Sequence, residues 1–200
     1  ICGTDVEIAV HGYGEPPEGH KRLVLFHESL GRVMAAPTGS GLSAGDLVAG
    51  IVRRPDPEPC EACAADQWDF CRNGKFTERG IKGRDGYGSQ RWRIEPKFAV
   101  KLDASLDRVG VLLEPTSVVA KAWDQVGKIA ARSATTQAHA LVTGAGPIGL
   151  LAALIGTQQG LEVTVLDQVT SGQPQAIVEE LGATSLSSLD DLTDRPAVAI

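Results

Sequence analysis

The sequence of 200 residues lacks any apolar run approaching the roughly 20 residues needed to span a bilayer, and no basic leader with an apolar stretch and cleavage site opens it. These absences lead to the expectation of a cytoplasmic protein with no membrane partner. Clusters of one charge are also missing: the net charge is −6 and the 19 lysines and arginines are scattered, so nothing offers a footprint for a phosphate backbone. Nucleic acid is not an expected partner. Cysteine is scarce, with four in the chain, three clustered and one beside the first residue. That is not the pattern of a disulfide framework in a small secreted domain, and metal binding is the first reading. No internal repeat or low-complexity tract is present, and 42% hydrophobic residues suffice for packed cores in one or two domains.

Residues 1 to about 110 carry short apolar runs (LVLF, DLVAGIV, KFAVKL) separated every 8 to 20 residues by Gly and Pro, the spacing of short strands in a small barrel or sandwich. From Glu114 the pattern changes. Pro115 suits a first helical turn, and Val118, Val119, Ala122, Trp123, Val126 and Ile129 recur at helical spacing. The polar, small stretch ARSATTQAH at 131–139 reads as a connection, which divides the chain into a first domain at 1–130 and a second at 131–200. Beyond it strand and helix alternate: ALVTG, then PIGLLAALIGTQQ ended by Gly160, then LEVTVLD, then QAIVEEL ended by Gly182. Such alternation predicts a parallel, doubly wound α/β sheet. Ile1 falls inside a motif and Ile200 inside the apolar run AVAI, so the expectation is a piece of a longer protein, lacking N-terminal strands of the first domain and the C-terminal part of the second.

Gly144, Gly146 and Gly149 give G-x-G-x-x-G between a predicted strand and a helix, with Pro147 and Ile148 inside the motif. The glycines serve a tight turn, a close backbone approach to a pyrophosphate, and close packing of helix on strand; the helix N-terminus adds free N–H groups and partial positive charge. Asp167 ends the next strand, 23 residues after the first glycine, where a carboxylate can accept from ribose hydroxyls, with Gln168 beside it. The following segment, QVTSGQPQ at 168–175, holds no Arg or Lys to receive a 2′-phosphate, which favours NAD over NADP.

Cys2, Gly3, Thr4 and Asp5 open the chain, and His27 with Glu28 follow. Thiolate, imidazole and carboxylate with one open position make a catalytic zinc site, although a Cys and a His 25 residues apart, taken alone, read more safely as a core cysteine and a hydrogen-bonded histidine. Cys60, Cys63 and Cys71 form C-x2-C-x7-C, a second candidate metal cluster. His11, His20 and His139 are expected on the surface without a role.

The order CGTD, HESLGRV, GSGLSAGDLV, cysteine cluster and dinucleotide turn resembles the zinc-dependent medium-chain dehydrogenase family, whose members join a GroES-like β-barrel to a Rossmann domain. The resemblance implies a zinc ion ligated by Cys2 and His27, with Glu28 as a ligand or near neighbour. It further implies that Thr4 relays the substrate proton and that Asp5 orients the histidine. Phe26 departs from the family, which usually has glycine before the His-Glu pair. The cysteine trio matches the last three ligands of the family's structural zinc lobe. Pro57 stands in place of the first, leaving Asp56, Glu58 or water to complete a tetrahedron, or the loop to hold by packing alone.

Four further stretches (DVEIAVHGYGEPPEG, VRRP, FTERGIKGRDGYGS and LLEPTSVVAKAW) resemble the glucose 1-dehydrogenase branch of that family. The branch oxidises an aldose at C1, and the resemblance implies glucose converted to gluconolactone with Zn2+ and NAD, or NADP. By the same resemblance Glu114 lies at the catalytic metal and contacts the sugar, while Glu78 and Thr4 bond sugar hydroxyls. Fixed polar acceptors suit a polyol substrate. The plainer readings are a loop carboxylate paired with Arg79 or a neighbour for Glu78, and a helix N-cap for Glu114. The partners implied are a small sugar and further copies of the chain in a homo-oligomer. A sorbitol-, threonine- or simple alcohol dehydrogenase shares the metal and cofactor motifs, and a non-catalytic dinucleotide-binding sensor is the rival from another class.

Overall fold

The computed structural model describes residues 1–132, 139–168 and 172–200. The chain separates into two compact units, Ile1–Glu114 and Pro115–Ile200, and the division falls in the first turn of a long helix.

Closely spaced Gly and Pro keep the strands of the first unit short. It opens with helix α1 (Gly3–His11), which stops at Gly12; this glycine takes a left-handed φ of 68° and donates its N–H to Ile8 O at 2.8 Å. Strands β1 (Gly31–Arg32), β2 (Leu47–Gly50), β3 (Arg53–Arg54), β4 (Thr77–Arg79), β5 (Gly83–Arg84) and β6 (Ala99–Leu102) build two three-stranded sheets, ordered β1-β2-β6 and β3-β4-β5. A short helix α2 (Glu61–Ala64) lies in the cysteine loop. All four residues of β2 are buried. Gly50 is obligatory there, because the space of a side chain is taken by the Tyr87 hydroxyl, which donates to Ile51 O at 3.0 Å. The predicted strand LVLF is not one. Its backbone instead accepts from a glycine-rich loop, with Gly86 N on Val24 O at 2.7 Å, Tyr87 N on Phe26 O at 2.6 Å and Gly88 N on Leu25 O at 3.1 Å.

The second unit follows its sequence closely. Helix α3 (Leu113–Ala130) leads to strand β7 (His139–Thr143), helix α4 (Pro147–Gln158), strand β8 (Glu162–Leu166), helix α5 (Gln173–Glu180) and strands β9 (Thr184–Leu186) and β10 (Val198–Ala199). The sheet is parallel, in the order β10-β7-β8-β9. Residues 140–142 and 163–165 are buried in unbroken runs, as strands covered on both faces require. Strand order reverses at β7, so the turn after β7 lies at the topological switch point where such sheets bind ligands.

The structure moves the expected domain boundary at 130 back to Glu114. The cause is packing: Val119 joins the core of Val142, Val163, Val165 and Val178, and the buried Trp123 donates Nε1–H to Ala152 O at 3.1 Å. Gly156 lets Trp123 and Val163 close on α4, since a Cβ there would stand 2.9–3.0 Å from both. Of the predicted connection at 131–139, residues 133–138 lie outside the described residues. His139 is also corrected. It is half-buried in β7, its Nε2 2.9 Å from Thr164 Oγ1 of the neighbouring strand, whereas His11 and His20 are exposed as expected.

Candidate metal centre and dinucleotide turn

Cys2 immediately precedes α1 and His27 follows the loop at 24–26, and the fold brings Cys2 Sγ to 3.2 Å from His27 Nε2. Cys2, Asp5 and His27 place their donor atoms within 4.8 Å of one another. Asp5 organises the group. Buried to 2% exposure, it accepts Cys2 N–H on Oδ2 at 2.9 Å and Phe26 N–H on Oδ1 at 3.2 Å, so one carboxylate fixes the backbone on both donor-bearing segments. His27 Nδ1 lies 3.3 Å from the same Oδ1, a charge contact that is not aligned as a hydrogen bond. An Nδ1 facing a carboxylate leaves Nε2 as the ligating nitrogen, on the side of the ring that faces Cys2.

The donor set suits zinc. A tetrahedral ion would hold sulfur and nitrogen roughly 3.5 Å apart, close to the spacing present. Glu28 follows His27 directly and is half-buried beside the centre. Glu114 lies in the first turn of α3, after the helix has begun at Leu113, so the N-cap reading does not hold. Burial pushes its carboxyl above the usual range, His27 draws it down, and Glu28 and Asp5 push it up again. These influences put Glu114 within electrostatic reach of His27, Glu28 and Asp5. Thr4 is half-buried in the first turn of α1, and its hydroxyl makes no hydrogen bond among the described residues.

Phe26 shows why glycine is the expected residue before the His-Glu pair. Its φ is 73°, a left-handed backbone that costs a side chain with a Cβ about 1 kcal/mol. The conformation persists because the surroundings fix it. Asp5 and Tyr87 N bond its backbone, and Gly80, Gly86 and Gly88 press so close to Leu25 and Phe26 that none has room for a side chain. The sequence marks FTERGIKGRDGYGS as a stretch of family resemblance without giving its glycines a packing role.

Cys60, Cys63 and Cys71 also converge, their sulfurs within 4.8 Å of one another. Backbone N–H groups of Arg72 and Cys63 lower the Cys60 thiol to about 6, with Arg72 N 3.4 Å from its sulfur. Neither expected substitute for the fourth cysteine is in place. Asp56 is buried and committed to Glu58 N at 2.9 Å and Asn73 Nδ2 at 2.8 Å, while the exposed Glu58 pairs with Lys75 at 3.2 Å. Among the described residues the cluster is three thiols and no more.

Glu78 pairs with Arg53 and not with Arg79. Arg53 sits opposite it in the β3–β4 register and donates Nη2–H at 2.8 Å and Nε–H at 3.0 Å. Arg79 is buried and directed to the carbonyls of Asp85 and Arg93 under the Tyr87 ring.

In the second unit, Gly144 makes the turn after β7 with φ 94°, Gly146 caps α4, Pro147 is its first residue, and a Cβ on Gly149 would overlap Gly144 O. Gly146, Pro147 and Ile148 are exposed around a hollow of about 310 Å³ that also takes in Val142, Thr143 and Ile200. Asp167 reaches back to the turn, its Oδ2 accepting Ala145 N–H at 2.6 Å, while Gln168 is exposed. The carboxylate predicted to meet a ribose thus also braces the glycine turn. Residues 169–171, part of the segment without Arg or Lys, lie outside the described residues.

Residues 1–104 match the alcohol dehydrogenase GroES-like domain and residues 107–197 the glucose dehydrogenase C-terminus. A glucose 1-dehydrogenase of Methanocella arvoryzae is 45% identical over 167 residues, covering 82% of this chain and 46% of its own length. The crystal structure of glucose dehydrogenase from Haloferax mediterranei superposes with a TM-score of 0.86 at 31% identity, over 100% of this chain and 59% of that one. The same enzyme in complex with NADP, Zn and gluconolactone gives a TM-score of 0.81 at 33% identity, over 96% and 55%. The chain therefore spans about half the length of the curated relatives it matches.

Proposed function

The chain belongs to the zinc-dependent medium-chain dehydrogenase family, in its glucose dehydrogenase branch, and on that premise we propose that the whole protein oxidises an aldose at C1, with glucose giving gluconolactone. The observation that carries this reading is the juxtaposition of Cys2 Sγ and His27 Nε2 at 3.2 Å with Asp5 behind the imidazole. A bound zinc ion supplies Lewis acidity that lowers the pKa of the sugar's C1 hydroxyl. Cys2 and His27 hold that ion, with Glu28 and Glu114 as the neighbouring carboxylates. Asp5 keeps the imidazole oriented and ties its segment to Cys2. Thr4 would accept the hydroxyl proton at Oγ1 as its own hydroxyl proton passes to water, and a bound nicotinamide would supply the acceptor for the C1 hydride. Gly144, Gly146 and Gly149 with the N-terminus of α4 cradle the pyrophosphate, and Asp167 serves the ribose.

NAD is the preferred acceptor in this reading and NADP the second, because residues 168–175 include neither Arg nor Lys. Glu78 and Glu114 supply sugar acceptors. Cys60, Cys63 and Cys71 form a structural zinc site with three protein ligands and water as the fourth. The working form is a cytoplasmic homo-oligomer. No described helix is long and apolar enough to cross a membrane.

A panel of aldoses, polyols and simple alcohols, offered with NAD and with NADP to the full-length protein, tests the central part. Aldose-dependent cofactor reduction supports it, and brisk polyol turnover without aldose oxidation contradicts it. Zinc content tests the lobe: two ions per chain are expected, and one would remove it from the proposal.

A further inference from the structure

We propose that Arg53 is the positioning residue for substrate recognition, locking Glu78 so that one carboxylate oxygen stands ready for a sugar hydroxyl; the inference rests on the aldose reading above. The two residues are register partners across β3 and β4, so their side chains leave the same face of the sheet. Arg53 Nε and Nη2 both converge on a single oxygen, Glu78 Oε1, at 3.0 and 2.8 Å. Oε2 receives no hydrogen bond among the described residues. A carboxylate with one oxygen saturated and the other open is a directional acceptor.

Arg53 itself is held on two further sides. Its Nη1 donates to Trp68 O at 3.2 Å, and its guanidinium lies over the Phe76 ring, 4.0 Å from the centroid. The planar fork therefore has one orientation, which a point-charged ammonium would not reproduce. The pair is also partly withdrawn from water, at 28% exposure for Arg53 and 19% for Glu78. Lys75 and Glu58, by contrast, form a solvated surface pair at 62% and 82%. An ordered acceptor is what distinguishes a polyol from an apolar alcohol, because a hydroxyl offered to a freely rotating carboxylate must first order it.

The test uses the full-length protein with Arg53→Met, Arg53→Lys and Glu78→Gln. Arg53→Met is expected to raise the aldose KM about tenfold while kcat stays within about twofold and the cofactor KM is unchanged. Arg53→Lys should recover part of that loss. Should Arg53→Met fail to fold, the lysine variant carries the test alone, with a KM between wild type and Glu78→Gln. If Glu78→Gln raises KM and the Arg53 variants leave it at the wild-type value, the positioning role is wrong and the aldose reading stands. If Glu78→Gln itself leaves KM unchanged, Glu78 is not the sugar acceptor, and the proposal falls with that part of the reading.

Discussion

In the second unit the proposed dinucleotide turn is built from consecutive residues, Gly144 to Gly149, whereas in the first the proposed metal donors Cys2 and His27 arrive from separate segments and meet through Asp5. The turn is a local object. Its geometry follows from three glycines at the end of a buried strand and the start of a helix, and its neighbour Asp167 adds one bond to Ala145. The proposed metal centre is a tertiary object. It depends on a strained residue, Phe26, and on glycines at 80, 86 and 88 that come from another loop. Sites of the first kind survive changes elsewhere in the chain, and sites of the second kind are sensitive to residues that never touch the ion.

Substitutions can break this contrast. The largest stability effect is expected at Gly149, where any Cβ overlaps the Gly144 carbonyl: Gly149→Ala should cost about 3 kcal/mol and weaken dinucleotide binding, read by thermal denaturation and cofactor titration. Metal binding in the first unit should be unaffected by it. Asp5→Asn should weaken zinc about 10- to 100-fold in chelator competition, because the amide keeps the shape and loses the charge that faces His27 Nδ1. An unchanged zinc affinity would make Asp5 a purely structural cap of α1. The smallest effect tests the strain. Phe26→Gly and Phe26→Ala lose the same ring from against Gly88, but only glycine accepts φ 73° freely, so the glycine variant should be the more stable of the two by about 1 kcal/mol. The usual order, alanine above glycine, would show that Phe26 bears no strain.

The same contrast explains what could be read in advance. Every helix and strand expected from 139 to 182 is present, because short continuous apolar runs and glycines at the helix ends mark buried parallel strands and the helices between them. The segment LVLF was misread as a strand because its partner is a loop, 86–88, whose glycines carry no β signal. The domain boundary was misplaced because helical spacing shows that α3 exists without showing which core Val119 and Trp123 join. That Cys2 and His27 meet was legible through their motifs. The partner of Glu78 was not: Arg79 is the neighbour in sequence, and only the β3–β4 register selects Arg53.

The direct test of a metal centre separable from the dinucleotide turn is Cys2→Ala in the full-length protein, with turnover and dinucleotide affinity measured on the same preparation. Turnover should be abolished while the NAD or NADP dissociation constant stays at its wild-type value. Turnover that survives the loss of the thiolate would contradict the metal mechanism.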